Sequence, residues 1–203
     1  MIHMACVLHA CQLCHLDIKP ENIMMTEDKC WKLIDVDGCV ASQERICVDD
    51  PTISFTPLYA APEFCRVLVD ETIEEIQISR CMDSWSVGMS ILDLVLLKPA
   101  LEQRYCDTVK KQDSSLPFFQ WLSNETEPFQ VPDFGMRENM DAFNLLHDML
   151  SKLLHKNVDM RWSIPQCLEH PFYKNFDLPA ARRKKENADL GPSTNFVLLF
   201  STR

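Results

Sequence analysis

The sequence predicts a mainly α-helical chain of α+β type that carries one small β hairpin. Three stretches predict it. Residues 83–97 (DSWSVGMSILDLVLL) are apolar almost all the way round, the pattern of a buried central helix, and Pro99 stops it. Residues 141–155 place Phe143, Leu146, Met149, Leu150 and Leu153 on one stripe at helical spacing, with Asp141 as the N-cap. Two short apolar runs, 23–25 (IMM) and 30–34 (CWKLI), flank Thr26-Glu27-Asp28-Lys29, which signals the hairpin.

The other elements follow in chain order. Residues 1–14 form a helix with Met4, Val7, Leu8 and Cys11 on one face, and it opens with no cap and no polar lead-in. Residues 39–62 carry Asp49-Asp50-Pro51, Thr56-Pro57 and Pro62, which suits a long irregular segment. The Pro- and Phe-rich residues 116–134 read as loops with short turns, and residues 165–170 as another short helix. Beyond Tyr173 the pattern decays into the basic run Arg182-Arg183-Lys184-Lys185, a solvated charge run or a nuclear import signal. The chain divides into a domain over 1–178 and a basic tail over 179–203.

Composition narrows the function classes. With 20 Lys and Arg against 30 Asp and Glu, the 203 residues carry a formal net charge of −10, which argues against a protein that holds nucleic acid by phosphate neutralisation. No apolar run is long enough to span a bilayer, and no secretory leader pattern opens the chain. The ten cysteines are scattered through apolar segments and read as reduced, largely buried thiols of an intracellular protein, cytoplasmic or nuclear. The four glycines, Gly38, Gly88, Gly135 and Gly191, lie about fifty residues apart, so neither common glycine-rich phosphate loop can be written here.

The chemistry concentrates at residues 15–22, His-Leu-Asp-Ile-Lys-Pro-Glu-Asn, with Asp35 thirteen residues beyond Asn22. A hairpin brings together a carboxylate, an ammonium, a carboxamide and a second carboxylate. Asp17 can accept a hydroxyl proton, Lys19 can neutralise a transferring phosphoryl group, and Asn22 with Asp35 can hold Mg²⁺ through hard oxygens. Cys11-x-x-Cys14 beside His9 and His15 suggests zinc, but no second ligand pair completes a four-ligand site.

The run 15–22 resembles the catalytic loop of eukaryotic protein kinases, and Asp35-Val36-Asp37-Gly38 resembles a variant of their metal-binding DFG motif. Thr56-Pro57-Leu58-Tyr59-Ala60-Ala61-Pro62-Glu63 matches the end of the family's activation segment. Asp83-Ser84-Trp85-Ser86-Val87-Gly88 matches the start of its central helix, and Arg161-Trp162-Ser163 with Leu168 to Phe172 matches its closing helices. The resemblance covers residues 1–173 and belongs to the family's C-terminal lobe; the glycine-rich loop, phosphate-gripping lysine and helix glutamate of the N-terminal lobe have no counterpart in this sequence.

The resemblance implies a serine/threonine kinase, Lys19 being typical of that branch, that moves the γ-phosphoryl of ATP to a protein hydroxyl with Mg²⁺. Asp17 and Lys19 would be catalytic, Asn22 and Asp35 would hold the metal, and Met24 would lie under the adenine. His15 would tie the loop to the core, and Glu63 would pair with Arg161. Leu16 stands where the family has the Arg that docks a phosphorylated activation segment, so activation without phosphate on Thr52, Ser54 or Thr56 is expected; Arg45 and Arg66 are the nearby cations. Val36 and Asp37 also depart from the motif. The rival reading is a non-catalytic, pseudokinase-like interaction module. Residues 64–82 form a stretch longer than the family's usual link, either a partner-binding insertion or an inert loop.

Overall fold

A computed structural model describes residues 1–134 and 140–175; the basic run, the tail over 179–203, Gly135 and Gly191 lie outside the described residues. Helix α1 (Ile2–Ala10) buries Ile2, Met4, Ala5, Leu8 and His9, while Cys11 follows the helix and is exposed, so the apolar face is turned from the one expected. The hairpin is present as β2 (Ile23–Met25) and β3 (Trp31–Leu33), antiparallel with Ile23 opposite Leu33 and Met25 opposite Trp31. Its turn closes through Thr26 N–H to the Cys30 carbonyl at 2.9 Å, with Lys29 left-handed at φ 61°.

Two further two-stranded ladders accompany it. β1 (Leu13–Cys14) pairs with β4 (Val40–Ala41), and β5 (Arg45–Cys47) pairs with β6 (Glu75–Gln77), both antiparallel. Residues 39–62 are therefore only partly irregular: short backbone pairing with distant segments, which local pattern does not reveal, orders their first third.

The core gathers round α3 (Arg80–Leu96), whose Trp85, Val87, Met89 and Leu92 are buried. Ser79 caps it by accepting from Cys81 N–H at 3.2 Å, and left-handed Leu97 (φ 56°) ends it two residues before Pro99. Helix α6 (Met140–Leu153) crosses α3 at Gly88, where an added Cβ would come within 2.9 Å of Leu154 Cδ2 and 3.0 Å of Leu153 Cβ. Asp141 lies inside the first turn of α6 rather than capping it from outside. Helix α2 (Pro62–Val69), with Pro at its first position, packs on α5 (Leu116–Ser123), which forms where loops were expected because Phe118 and Leu122 find full burial. The polar helix α4 (Glu102–Gln112) precedes α5 and packs on it, and the last described elements are α7 (Ile164–Leu168) and α8 (Pro171–Asn175).

All ten cysteines are free thiols, but only Cys14, Cys65 and Cys167 are fully buried, which corrects the expectation of mostly buried thiols. Burial, with Asp83 nearby, pushes the Cys14 and Cys39 thiols up to about 12, so neither is a ready nucleophile. No helix among the described residues is long and apolar enough to cross a membrane.

Candidate active site

The site is built from the loop after β1 and from the β2–β3 hairpin. A 3₁₀ turn, Pro20–Asn22, leads into β2, and Ile34 N–H extends the hairpin ladder by donating to the Asn22 carbonyl at 2.9 Å. Asp35 is thereby set beside Asn22. Asp35 is left-handed at φ 63° and exposed, and the next 3₁₀ turn (Val36–Gly38) buries Val36 in a small apolar cluster with Met4, Leu8 and Leu33. Val36 thus packs inward despite being smaller than the Phe of the resemblance.

Asp17 is 4% exposed, and its carboxylate is held by two donors. Lys19 Nζ donates to Asp17 Oδ2 at 2.7 Å and also to Thr56 Oγ1 at 2.7 Å. Asn22 Nδ2 donates to the Asp17 carbonyl at 2.8 Å and lies 3.4 Å from Asp17 Oδ2. Asp17 Oδ1 has no partner among the described residues. A buried acceptor without a donor costs about 1–3 kcal/mol, so the fold holds this oxygen at an expense to stability.

The loop's backbone is fixed from below by Asp83. Its Oδ2 accepts from His15 N–H at 2.9 Å and from His9 Nε2 at 2.9 Å, and its Oδ1 accepts from Leu16 N–H at 2.8 Å. This hold explains how Leu16, a γ-branched residue, stays left-handed at φ 67°, a conformation that costs roughly 1–2 kcal/mol. His15 Nδ1 accepts from Asp17 N–H at 3.3 Å, so its Nε2 carries the proton given to the Ile34 carbonyl at 3.0 Å. That single ring bridges the catalytic-loop candidate and the hairpin, and with His9 held by Asp83 neither histidine is left for zinc. Among the described residues no three His, Cys, Asp or Glu side chains converge as metal ligands.

Lys19 and Asn22 thus meet round Asp17, with Thr56 on Lys19, while the exposed Asp35 follows Ile34 at the end of the hairpin ladder. Met24 is 47% exposed on the outer face of the hairpin. The sequence names Asp83 in the central-helix motif and His9 beside Cys11, but not their joint hold on the loop. A carboxylate near the head of a largely apolar helix was the available signal, since a buried charge must find donors.

A sequence profile described as the protein kinase domain matches residues 4–173. The chain belongs to the protein kinase family. Among its relatives are an Aurora kinase of Debaryomyces hansenii, 27% identical over 168 residues, which are 83% of this chain and 34% of that protein. Serine/threonine-protein kinase 10-A of Xenopus laevis is 28% identical over 176 residues, 86% of this chain and 16% of the relative. The phosphorylase b kinase gamma catalytic chain (liver/testis isoform) of Mus musculus is 26% identical over 169 residues, 82% of this chain and 37% of the relative. The kinase chain thus spans well under half the length of these relatives.

Proposed function

We propose that the chain supplies the C-terminal lobe of a serine/threonine kinase domain, which transfers the γ-phosphoryl group of ATP to a protein hydroxyl. The observation that supports this best is Asp17: buried, braced by Lys19 and Asn22, with Oδ1 unpartnered. In this reading that carboxylate would orient a hydroxyl and accept its proton. Lys19 would stabilise the charge that develops on the transferred group, and its contact with Thr56 would keep the substrate-side segment in register.

The residues present fit Mg²⁺. Asn22 commits its Nδ2 to the Asp17 carbonyl, which leaves Oδ1 as a hard oxygen donor, and the exposed Asp35 carboxylate is the second. When bound, the ion would neutralise charge on the nucleotide phosphates. Asp35→Asn is expected to raise the Mg²⁺ concentration that the reaction requires.

The 203 residues contain no glycine-rich loop, so the chain by itself is expected to transfer phosphoryl groups far below the roughly 1–100 per second of the family. Carried in a domain with both lobes, Asp17→Asn is expected to lower the rate by about 100-fold or more with unchanged unfolding. Equal rates in that variant and its parent would favour the non-catalytic interaction module, for which the Leu16, Val36 and Asp37 departures speak.

A further inference from the structure

The stretch 64–82 does not form a free loop. Its middle, β6, pairs with β5 in the segment that runs from Asp35 to Glu63, with Ile46 opposite Ile76 and Cys47 opposite Glu75. Flanking hydrogen bonds lengthen the ladder: Val48 N–H to the Glu74 carbonyl at 3.0 Å, Ile78 N–H to Glu44 at 2.8 Å and Gln43 N–H to Ile78 at 2.8 Å. Ile46 and Ile76 turn inward at 8% exposure each, and Ile78 is fully buried.

We propose that β6 is a built-in strap that positions the segment 45–59 for phosphoryl transfer without a phosphate on it. Further along the segment, Phe55 meets Phe64 edge-on at a ring distance of 4.9 Å, and both close with Leu16 round a cavity of only about 10 Å³. This cavity, next in the chain to Asp17, is lined mostly by apolar side chains; its one hydroxyl, Ser86, is committed to the Tyr59 and Met82 carbonyls, and it has no room for a phosphate. Arg45 reaches Glu75 at 3.9 Å, and Arg66 pairs with Glu125, so both nearby cations have other carboxylates. The segment is gripped at its start by the strap and towards its end by the adjacent Phe55, on Phe64, and Thr56, on Lys19. The strap itself is braced on both sides, because Arg161 donates to Glu63 in α2 before it and to the Cys81 carbonyl in α3 after it. Ile76 is on this account a positioning residue, which touches no substrate.

This role rests on the phosphoryl-transfer reading above, whereas the pairing can be measured without it. The hydrogen-bonded pairs at 44/78 and 48/74 make Cys47 and Glu75 a non-hydrogen-bonded pair, with Cα atoms about 4.5 Å apart, within disulfide reach. In the unphosphorylated full chain, Glu75→Cys is expected to crosslink to the exposed Cys47 under mild oxidation, and the same variant with Cys47→Ser is expected not to. Amide exchange at Ile46 and Val48 is expected to be slow in the parent and to rise about tenfold or more in Ile76→Pro, while α3 stays protected. In a two-lobed form, the oxidised Glu75→Cys protein is expected to keep its rate, and Ile76→Pro to lose kcat with the ATP KM unchanged. A crosslink that forms only after phosphorylation, fast exchange at Ile46 and Val48 in the parent, or a locked form that loses its rate would overturn the strap. If no form transfers phosphate, the kinase reading fails while crosslinking and exchange still decide whether the strap pairs.

Discussion

Arg161 holds Glu63 in a two-pronged ion pair, Nη1 to Oε1 and Nη2 to Oε2, both at 2.8 Å, across 98 residues of chain. The same guanidinium donates to the carbonyls of His155, Cys81 and Lys156, so all five N–H groups are used in a site with 0% exposure of the arginine side chain. One residue thereby joins α2, the start of α3 and the loop before α7.

Arg161→Met is expected to destabilise the chain by about 3–5 kcal/mol, since it strands a largely buried carboxylate and three carbonyls. Glu63→Gln is expected to cost less, because the carbonyl bonds survive. The double variant should be no less stable than Arg161→Met alone. Urea unfolding of the four proteins checks this, and simple addition of the two losses would contradict a coupled pair.

Asp83 is the second anchor. Asp83→Asn turns one of its accepting oxygens into a donor that faces His9 or a backbone N–H, at a cost of about 1–3 kcal/mol. Amide exchange at His15 and Leu16 is expected to accelerate more than exchange in α6, because the loss is local to the loop that carries Asp17.

Gly88→Ala sets two effects against each other. Alanine gains roughly 1 kcal/mol of helix propensity in α3. Its Cβ at 2.9 Å from Leu154 Cδ2 and 3.0 Å from Leu153 Cβ overpacks the α3–α6 crossing, which costs typically about 1–3 kcal/mol. A net loss of stability is expected, relieved in part by Leu154→Val, as read from denaturant midpoints.

Asp148 links α6 to His170, between α7 and α8. Burial pushes its carboxyl up, but hydrogen bonds from Lys152 and from His170 (2.8 Å), with their charges, outweigh this and hold it below the usual carboxylate value. A depressed acid stabilises the fold above its unfolded pKa and loses that contribution as pH falls through the folded one. Asp148→Asn is therefore expected to lower Tm at pH 7, and the difference from the parent should shrink below about pH 4.

The α3 and α6 helices, the β2–β3 hairpin and the meeting of Lys19 and Asn22 at Asp17 were determined by the sequence itself. Their signals are local: an apolar run, a stripe at helical spacing, and short fixed separations that one hairpin converts into neighbours. The Glu63–Arg161 pair was legible too, but only through motif resemblance, since 98 residues separate the partners. Tertiary structure alone decided the rest. Residues 45–47 and 75–77 show no more than a short apolar alternation, and a three-residue strand is stable only once its partner's backbone is in place. Phe118 and Leu122 became helical because α2 offered them a buried surface. Leu16 reads in sequence as a lost arginine; in the fold it lines one small cavity with Phe55 and Phe64, because what a side chain does there depends on the neighbours that distant chain brings to it.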